Sequence, residues 1–328
     1  MTSNTATVVI VNWNGGAFLE ECLTRLTRQS LAPARILVMD NDSADGSPER
    51  AEQIPGVAVR RLGQNYGFAA ANNRALQECD TDWVALLNPD AYPEPDWLER
   101  LLAAAQAQPE VAAFGSRQMA HGTTDTLDGI GDVYHLSGLA WRNGYGRSQR
   151  ACDGLAQRIF SPCAGAALYR LDALREVGGF DEDFFCYLED VDLGFRLRLA
   201  GYEAAYVPDA VVHHVGSALS GGQRSGFSVY HGHRNLVWTF VKNMPGALFW
   251  LLLPLHVLLN LASLAYFSGQ GQGSLIFRAK WDALKNIPRM WAKRRAIQAR
   301  RRAALADIWR VLDKRLSLSR TDPVEPLS

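Results

Sequence analysis

Val8-Val9-Ile10-Val11-Asn12-Trp13-Asn14 is a continuous apolar run that stops abruptly at polar residues. Such a run, short and without alternation, fits a strand covered on both faces. The pattern repeats. Ile36-Leu37-Val38-Met39 ends in Asp40-Asn41-Asp42-Ser43, Val57-Ala58-Val59 is a shorter third strand, and Trp83 to Leu87 is a fourth, ending in Asn88-Pro89-Asp90. Between these runs the period changes. From about Gly16 to Gln29, residues Phe18, Leu19, Cys22, Leu23 and Leu26 recur at helical spacing. A second helix follows Ser47 and Pro48, which suit a cap and first turn, and Ala69 to Cys79 is a third. This alternation predicts an α/β fold, a Rossmann-like, mostly parallel sheet with helices on both faces. Ligands in such sheets bind beyond the carboxyl ends of the strands. Asn12, Asn14, Asp40, Asn41, Asn65, Asn88 and Asp90 collect at those ends.

A second acidic feature lies far downstream, in Phe184-Phe185-Cys186-Tyr187-Leu188-Glu189-Asp190-Val191-Asp192-Leu193-Gly194-Phe195-Arg196-Leu197-Arg198. Leu188, Val191, Phe195 and Leu199 fall on one helical face, so that face packs. Glu189, Asp190 and Asp192 crowd the first turn, where the helix dipole tolerates anions. Ordinary N-terminal helix charge explains any one of them. A carboxylate at a strand end together with a distant acidic helix start suggests one metal site and one general base.

The 328 residues can hold one large domain or two smaller ones. Hydrophobic residues make up 48% and charged residues 21%, as in a globular chain. The net charge of zero implies no overall pull toward nucleic acid. It hides an asymmetry, because Asp282 is the one acid in the basic stretch from Arg278 to Arg302. The cysteines, Cys22, Cys79, Cys152, Cys163 and Cys186, are odd in number and widely spaced, which fits a reducing compartment better than a disulfide framework or zinc knuckle. The N-terminus runs through polar residues into the first strand with no signal-peptide pattern.

Val11-Asn12-Trp13-Asn14-Gly15-Gly16 is not the GxGxxG dinucleotide fingerprint, and neither a GxxxxGK[ST] loop nor a GxSxG elbow occurs. The runs that do occur are specific. They are Val11-Asn12-Trp13-Asn14, Val38-Met39-Asp40-Asn41-Asp42-Ser43-Ala44-Asp45-Gly46-Ser47, and Asn65-Tyr66-Gly67-Phe68-Ala69-Ala70-Ala71-Asn72-Asn73. Leu87-Asn88-Pro89-Asp90-Ala91, Pro162-Cys163-Ala164-Gly165-Ala166 and Gly178-Gly179-Phe180-Asp181-Glu182 follow, then Glu189-Asp190, His213-His214-Val215-Gly216-Ser217 and Arg234-Asn235. In order and spacing, over roughly residues 6–245, the chain resembles the inverting GT-A glycosyltransferases of family 2, a group that includes bacterial rhamnosyltransferases and other cell-surface polysaccharide enzymes.

The resemblance implies a metal-dependent hexosyl transfer from a nucleotide-sugar, with dTDP-, UDP- and GDP-sugars all open and rhamnose a family-level expectation. The acceptor would be a hydroxyl of a glycan or lipid-linked molecule. Val11 and Trp13 would border the nucleotide site, Asp40 and Asn41 would hold its base, and Asn65, Gly67 and Asn73 would line the pocket. An Asx turn ending the strand is the competing account of Asp40 and Asn41 and the better one for Asp42 and Ser43, and turn and helix capping competes equally for Asn65, Gly67 and Asn73. Asn88-Pro89-Asp90 stands where the family often has Asp-x-Asp, so Asp90 would bind Mg2+ or Mn2+ at the diphosphate, with Asn88 beside it. One of His213 and His214 would complete the shell, and the following Val-Gly-Ser favours His214. Gly165 and Ala166 would allow close backbone approach to the sugar. Asp190 would be the general base, Glu189 would orient the acceptor, and Asp192 would be a helix-turn carboxylate. A sugar nucleotidyltransferase or a non-catalytic membrane-associated nucleotide-sugar-binding protein are the competing classes. The first usually carries a Lys/Arg-bearing phosphate loop near the N-terminus, and Val11 to Ala17 has neither residue.

The C-terminal third differs. No charged residue occurs from Asn243 to Phe277, and Ala247 to Phe267 is long enough to span a bilayer. Pro254, His256, Asn260 and Ser263 interrupt it, so a re-entrant or interfacial helix pair fits equally, and a buried hairpin is the competing account. The basic stretch that follows, with Trp281 and Trp291, fits an amphipathic helix on an anionic membrane surface. The expected division is therefore 1–240 as catalytic domain and 241–328 as membrane-associated helices. The expected location is the cytoplasmic face of the cell membrane, peripheral or re-entrant, with oligomerisation possible through those helices. A chain cut after Met244 is expected to be soluble and to bind nucleotide.

Overall fold

A computed structural model describes residues 5–152, 158–216 and 225–315. Ser217, the last residue of the His213–Ser217 run, and the side chain of Cys152 lie outside the described set. The elements run β1 (Ala6–Asn12), α1 (Gly16–Leu26), β2 (Arg35–Asp40), α2 (Ser47–Glu52), β3 (Val57–Arg61), α3 (Gly67–Glu78), β4 (Trp83–Leu87), β5 (Ala91–Pro93), α4 (Trp97–Ala107) and β6 (Val111–Ala120). Then come β7 (Leu127–Gly129), β8 (Asp132–Tyr134), β9 (Ala140–Arg142), β10 (Ala166–Arg170), α5 (Leu171–Glu176), α6 (Glu189–Leu199) and β11 (Glu203–His214). The C-terminal helices are α7 (Gly226–Asn243), α8 (Gly246–Gly269), α9 (Gly273–Lys285), α10 (Ile287–Ala299) and α11 (Leu305–Val311).

The main sheet has the order β3-β2-β1-β4-β10-β6-β11-β5, with β7 paired to β6. It is parallel across β3, β2, β1 and β4, the part built from strand–helix repeats. Beyond β4 it is mixed, because β10 runs antiparallel to both β4 and β6 and β5 runs antiparallel to β11. Strand alternation divides the core in two. Val9, Leu37, Met39, Val84 and Leu86 face α3, α5 and α6. Val8, Ile10, Ile36, Val38 and Leu87 face α1 and α4. Helices therefore cover both faces, and β1, β2 and β4 are dry along their length.

α6 belongs to two cores at once. Leu193 and Leu197 pack toward the sheet, whereas Val191, Phe195 and Leu199 join a third cluster with Val237, Phe240, Leu248, Phe249, Ala283, Met290 and Ile308. That cluster crosses position 240, which itself lies inside α7. Asp192 is more than a turn carboxylate. Fully buried, it accepts from Arg196 Nε (2.8 Å) and Asn243 Nδ2 (2.7 Å) and pairs with Lys242 (2.7 Å), tying α7 to α6.

Two expectations about the C-terminal third change. The apolar segment is one continuous 24-residue helix, α8, with Pro254 inside it and not an interrupted pair. By length and composition it could cross a membrane. The basic stretch is two helices, α9 and α10, separated at Asn286 with a proline opening the second. Part of its charge points inward. Arg294 is buried and donates to the carbonyls of Val241 (3.0 Å) and Met244, closing the C-terminus of α7. Lys293 binds Asp181 and Asp183, and Arg302 binds Glu176.

Candidate active site

The C-terminal edge of β4 carries Asp90, and the end of β11 carries His214. Both are buried, with His214 Nε2 3.2 Å from Asp90 Oδ1. Strand alternation sends the neighbouring His213 away, to Glu94 Oε1 at 2.6 Å, so the two histidines are not interchangeable. His214 Nδ1 is 2.7 Å from Asp128 Oδ2, and Arg142 holds the same carboxylate. Burial works against protonation of His214, but the flanking carboxylates of Asp128 and Asp90 outweigh it and raise the imidazole to about 9. Burial likewise opposes ionisation of Asp128, and its contacts with His214 and Arg142 prevail, so its pKa is lowered.

A nitrogen donor facing a carboxylate oxygen, its second nitrogen oriented by another carboxylate, has the chemistry of a divalent-cation site with an outer-shell partner. Among the described residues no group of three His, Cys, Asp or Glu side chains converges in the manner of a complete metal cage. The donor set therefore suits a cation whose remaining ligands come from substrate oxygens. Asn88 presents its side-chain nitrogen 3.5 Å from His214 Nε2.

The two carboxylates at the start of α6 differ in setting. Asp190 is partly exposed and accepts from the N–H groups of Ala164 (3.1 Å) and Val191 (2.8 Å). Burial raises its pKa, with those two bonds and Arg142 opposing. Glu189 is buried, and its Oε2 has no hydrogen-bond partner. Burial and then the Asp190 charge push its pKa well above the ordinary value. One short loop joins this pair to the Asp90 side, because Ala164 N–H donates to Asp190 while Gly165 O accepts from Asn88 N–H (2.8 Å). A Cβ on Gly165 would lie 3.0 Å from Asn88 Nδ2, so a side chain there would push against the strand end. Ala166 is fully buried opposite Leu87.

The residues expected at the nucleotide fall into two groups. Asp40 and Asn41 are buried and face inward. Asp40 accepts from Asn12 Nδ2 (2.8 Å), Ser43 Oγ (2.6 Å) and Ser43 N–H (3.1 Å), while Asn41 bridges Gly67 O (3.2 Å) and Tyr66 N–H (3.3 Å). They fix the loops at the strand ends. Val11 is partly buried, and Trp13 and Asn65 are open to solvent. Gly67, at φ +81°, abuts Phe185, whose ring a Cβ would meet at 2.5 Å. Asn73 lies elsewhere, with its amide engaged by the backbone of Phe180 (2.8 and 2.9 Å) and by Glu182.

Sequence reasoning missed Asp128, Asp132 and Arg142. Asp132 is buried near Asp190, and burial followed by that charge raises its pKa. Arg142 spans from Asp128 to Cys163 Sγ (3.2 Å), at the start of the Ala164–Gly165 loop. They come from the very short strands β7, β8 and β9, which carry no periodic signal.

The chain is similar to known proteins over most of its length. The chain is 31% identical over 253 residues to an N-acetylglucosaminyl-diphospho-decaprenol L-rhamnosyltransferase of Mycobacterium tuberculosis, covering 68% of this chain and 80% of that protein. Among solved structures, a mannosyltransferase from Pyrobaculum calidifontis in complex with GDP-Man and Mn2+ superposes with a TM-score of 0.53 at 19% identity, covering 93% of this chain and 87% of that one. GalNAc-T7 with UDP, GalNAc and Mn2+ superposes with a TM-score of 0.54 at 18% identity, covering 64% of this chain and 43% of that one. These structural likenesses give the GT-A fold. Residues 7–178, from the first strand through the loop beside Asp190, match the glycosyl transferase family 2 profile, and the chain belongs to that family.

Proposed function

We propose that this glycosyltransferase moves a sugar, with inversion, from a nucleoside-diphosphate donor to a hydroxyl of a lipid-linked glycan in cell-surface polysaccharide synthesis. The observation that carries this reading is the single loop, Cys163–Gly165, that links the Asp90–His214 pair to Asp190. Asp90 and His214 would hold Mg2+ or Mn2+, which when bound neutralises charge on the diphosphate. Asp128 and Arg142 keep His214 in place. Asp190 takes the proton of the acceptor hydroxyl as that oxygen attacks the anomeric carbon and the bond to the nucleoside diphosphate breaks. Burial raises its pKa above that of a free carboxyl, which makes it the stronger base. Trp13 and Asn65, open beside the inward-facing Asp40 and Asn41, border the nucleotide. The rhamnosyltransferase relative supports rhamnose as the sugar and a diphospholipid-linked acceptor, hence action at the cytoplasmic membrane face.

The test uses purified full-length chain, titrated calorimetrically with dTDP-, UDP- and GDP-sugars with and without Mn2+. One donor class should bind, and more tightly with the cation. Asp190→Asn should lower turnover by roughly 10²–10⁴-fold with donor affinity unchanged. No binding of any nucleotide-sugar would sink the transferase reading, and full turnover in excess EDTA would remove the metal assignment.

A further inference from the structure

α8 is arranged opposite to a helix of a water-soluble protein. Among its buried and half-buried residues, Phe249, Leu252, His256, Asn260, Ser263 and Phe267 recur every three or four positions, and this inward stripe, flanked by Leu248, Leu253, Leu259 and Leu264, holds the polar side chains of the helix centre. His256 Nδ1 is 2.7 Å from Ser137 O, Asn260 bonds back to His256, and Ser263 bonds back to Leu259 O. The outward face carries Trp250 (64% exposed), Leu251, Leu255, Val257, Leu258 (61%), Leu261 and Tyr266, with no charged group. α9 extends it with Phe277, Trp281 and Leu284, each at least half exposed. Water-facing helices put the polar groups outside. In α8 the order is reversed, with the apolar side chains outside and the polar ones inside.

The same helix is held to the protein along its length. Near its start Phe249 packs on Phe240 and Trp291 (both 5.5 Å), at its middle His256 stacks on Phe240 (4.0 Å), and near its end Phe267 meets His233 (4.7 Å). At about 1.5 Å per residue, a helix of this size is roughly 36 Å long, enough to cross the hydrocarbon layer. Standing it across a bilayer would carry α7 and α9 in with it, together with Arg234, Lys280 and Asp282. Lying flat leaves those groups on the water side.

We infer that the outer faces of α8 and α9 insert side-on into one leaflet, making the enzyme monotopic and not membrane-spanning. The occupant is a bilayer surface bearing anionic headgroups. Arg278, 76% exposed at the side chain and only 3.8 Å from Asp282, and the exposed Lys285, 5.4 Å from the Trp281 ring, place positive charge next to Phe277, Trp281 and Leu284 as counter-charges. The inference rests on the membrane-surface reading above and adds the residues, the depth and the orientation.

The experiment adds full-length protein to the outside of preformed phosphatidylcholine–phosphatidylglycerol vesicles. A single cysteine replaces Gln270, exposed at the far end of α8 and off its apolar face, and a membrane-impermeant maleimide is added outside, with the parent chain as background. Side-on insertion leaves this position labelled. Protection of Gln270→Cys that detergent relieves would show a spanning helix and overturn the inference. The double variant L251D/L258D changes only exposed positions and should co-sediment with vesicles at least ten-fold less, while keeping wild-type donor affinity in solution. Parent protein that ignores vesicles and runs as a stable oligomer would make the face a protein interface and also overturn it. Donor binding, measured without lipid, separates these outcomes from failure of the transferase reading.

Discussion

Glu189 and Asp190 are neighbours in sequence with different chemistry. The buried Glu189, with an unpartnered oxygen beside the Asp190 charge, holds its proton above the ordinary range, whereas Asp190 is open on one side. A glutamate released by unfolding ionises near 4.5. Above that pH the unfolded chain has lost the proton that the folded chain keeps. The contribution of Glu189 to stability is therefore complete below about 4.5 and declines as pH rises toward its raised folded value. Glu189→Gln, a neutral isostere, lacks this slope. Urea unfolding at pH 5, 6, 7 and 8 should find the variant gaining on wild type as pH rises above 5. A wild-type advantage that grows toward pH 8 would contradict the assignment. Asp90, His214, Glu189 and Asp190 were legible because each sits in a recognisable run at an element end. Asp128 and Arg142 were not, because their strands are short and they meet through tertiary folding alone. Asp40, Asn41 and Asn73 were legible as polar strand-end and helix residues but not by role, since whether an amide faces a ligand or a loop depends on packing.

Between the elements, the turn leading into α6 is strained. Phe185, Tyr187 and Leu188 have φ of +65°, +68° and +63°, and none is glycine. Each such residue costs roughly 1–2 kcal/mol. α7 keeps them there. The fully buried Asn235 directs its amide nitrogen at the carbonyls of Phe184 (3.0 Å), Cys186 (3.0 Å) and Tyr187 (2.8 Å), and Arg234 Nη2 donates to Asp183 O (3.1 Å) and Phe184 O (2.9 Å). Asn235→Ala should destabilise by roughly 1–3 kcal/mol. It should also reduce turnover, because displacing the start of α6 by about 1 Å can cost roughly 10²-fold. Chemical denaturation and steady-state kinetics measure the two separately, and unaltered kcat would refute the clamp. Gly194 raises a related expectation. Alanine normally favours a helix, but here a Cβ would lie 2.2 Å from Ser161 Cβ. Gly194→Ala should therefore lower the melting temperature instead of raising it. The sequence marked the Arg234–Asn235 pair without indicating what it holds, since positive φ at three bulky residues has no compositional signal.

For the whole molecule, the first ninety residues were readable because repeated strand–helix units force parallel pairing. The reversal at β10 was not, because no local pattern states that this strand inserts between β4 and β6. The break between a catalytic part and a detachable membrane part was drawn from composition, and packing runs across it. Val237, Phe240, Val241 and Met244 lie in one cluster with Leu248, Phe249, Met290 and Ile308, and Arg294 closes the end of α7. A chain ending after Met244 would expose that cluster to water. The expectation of a soluble, nucleotide-binding fragment is accordingly replaced: residues 1–244 should be recovered aggregated, or folded only with much-reduced thermal stability. Size-exclusion chromatography of the fragment decides this, and a monodisperse species that melts like the full chain would refute it. The outward apolar face of α8 has a kinetic consequence. With that face in lipid, the enzyme keeps free rotation about one axis and diffuses in two dimensions, as does a lipid-linked acceptor. Encounter then depends on molecules per unit membrane area and not on molarity. Diluting loaded vesicles with buffer should leave the rate per enzyme unchanged, and diluting the acceptor with inert lipid should lower it.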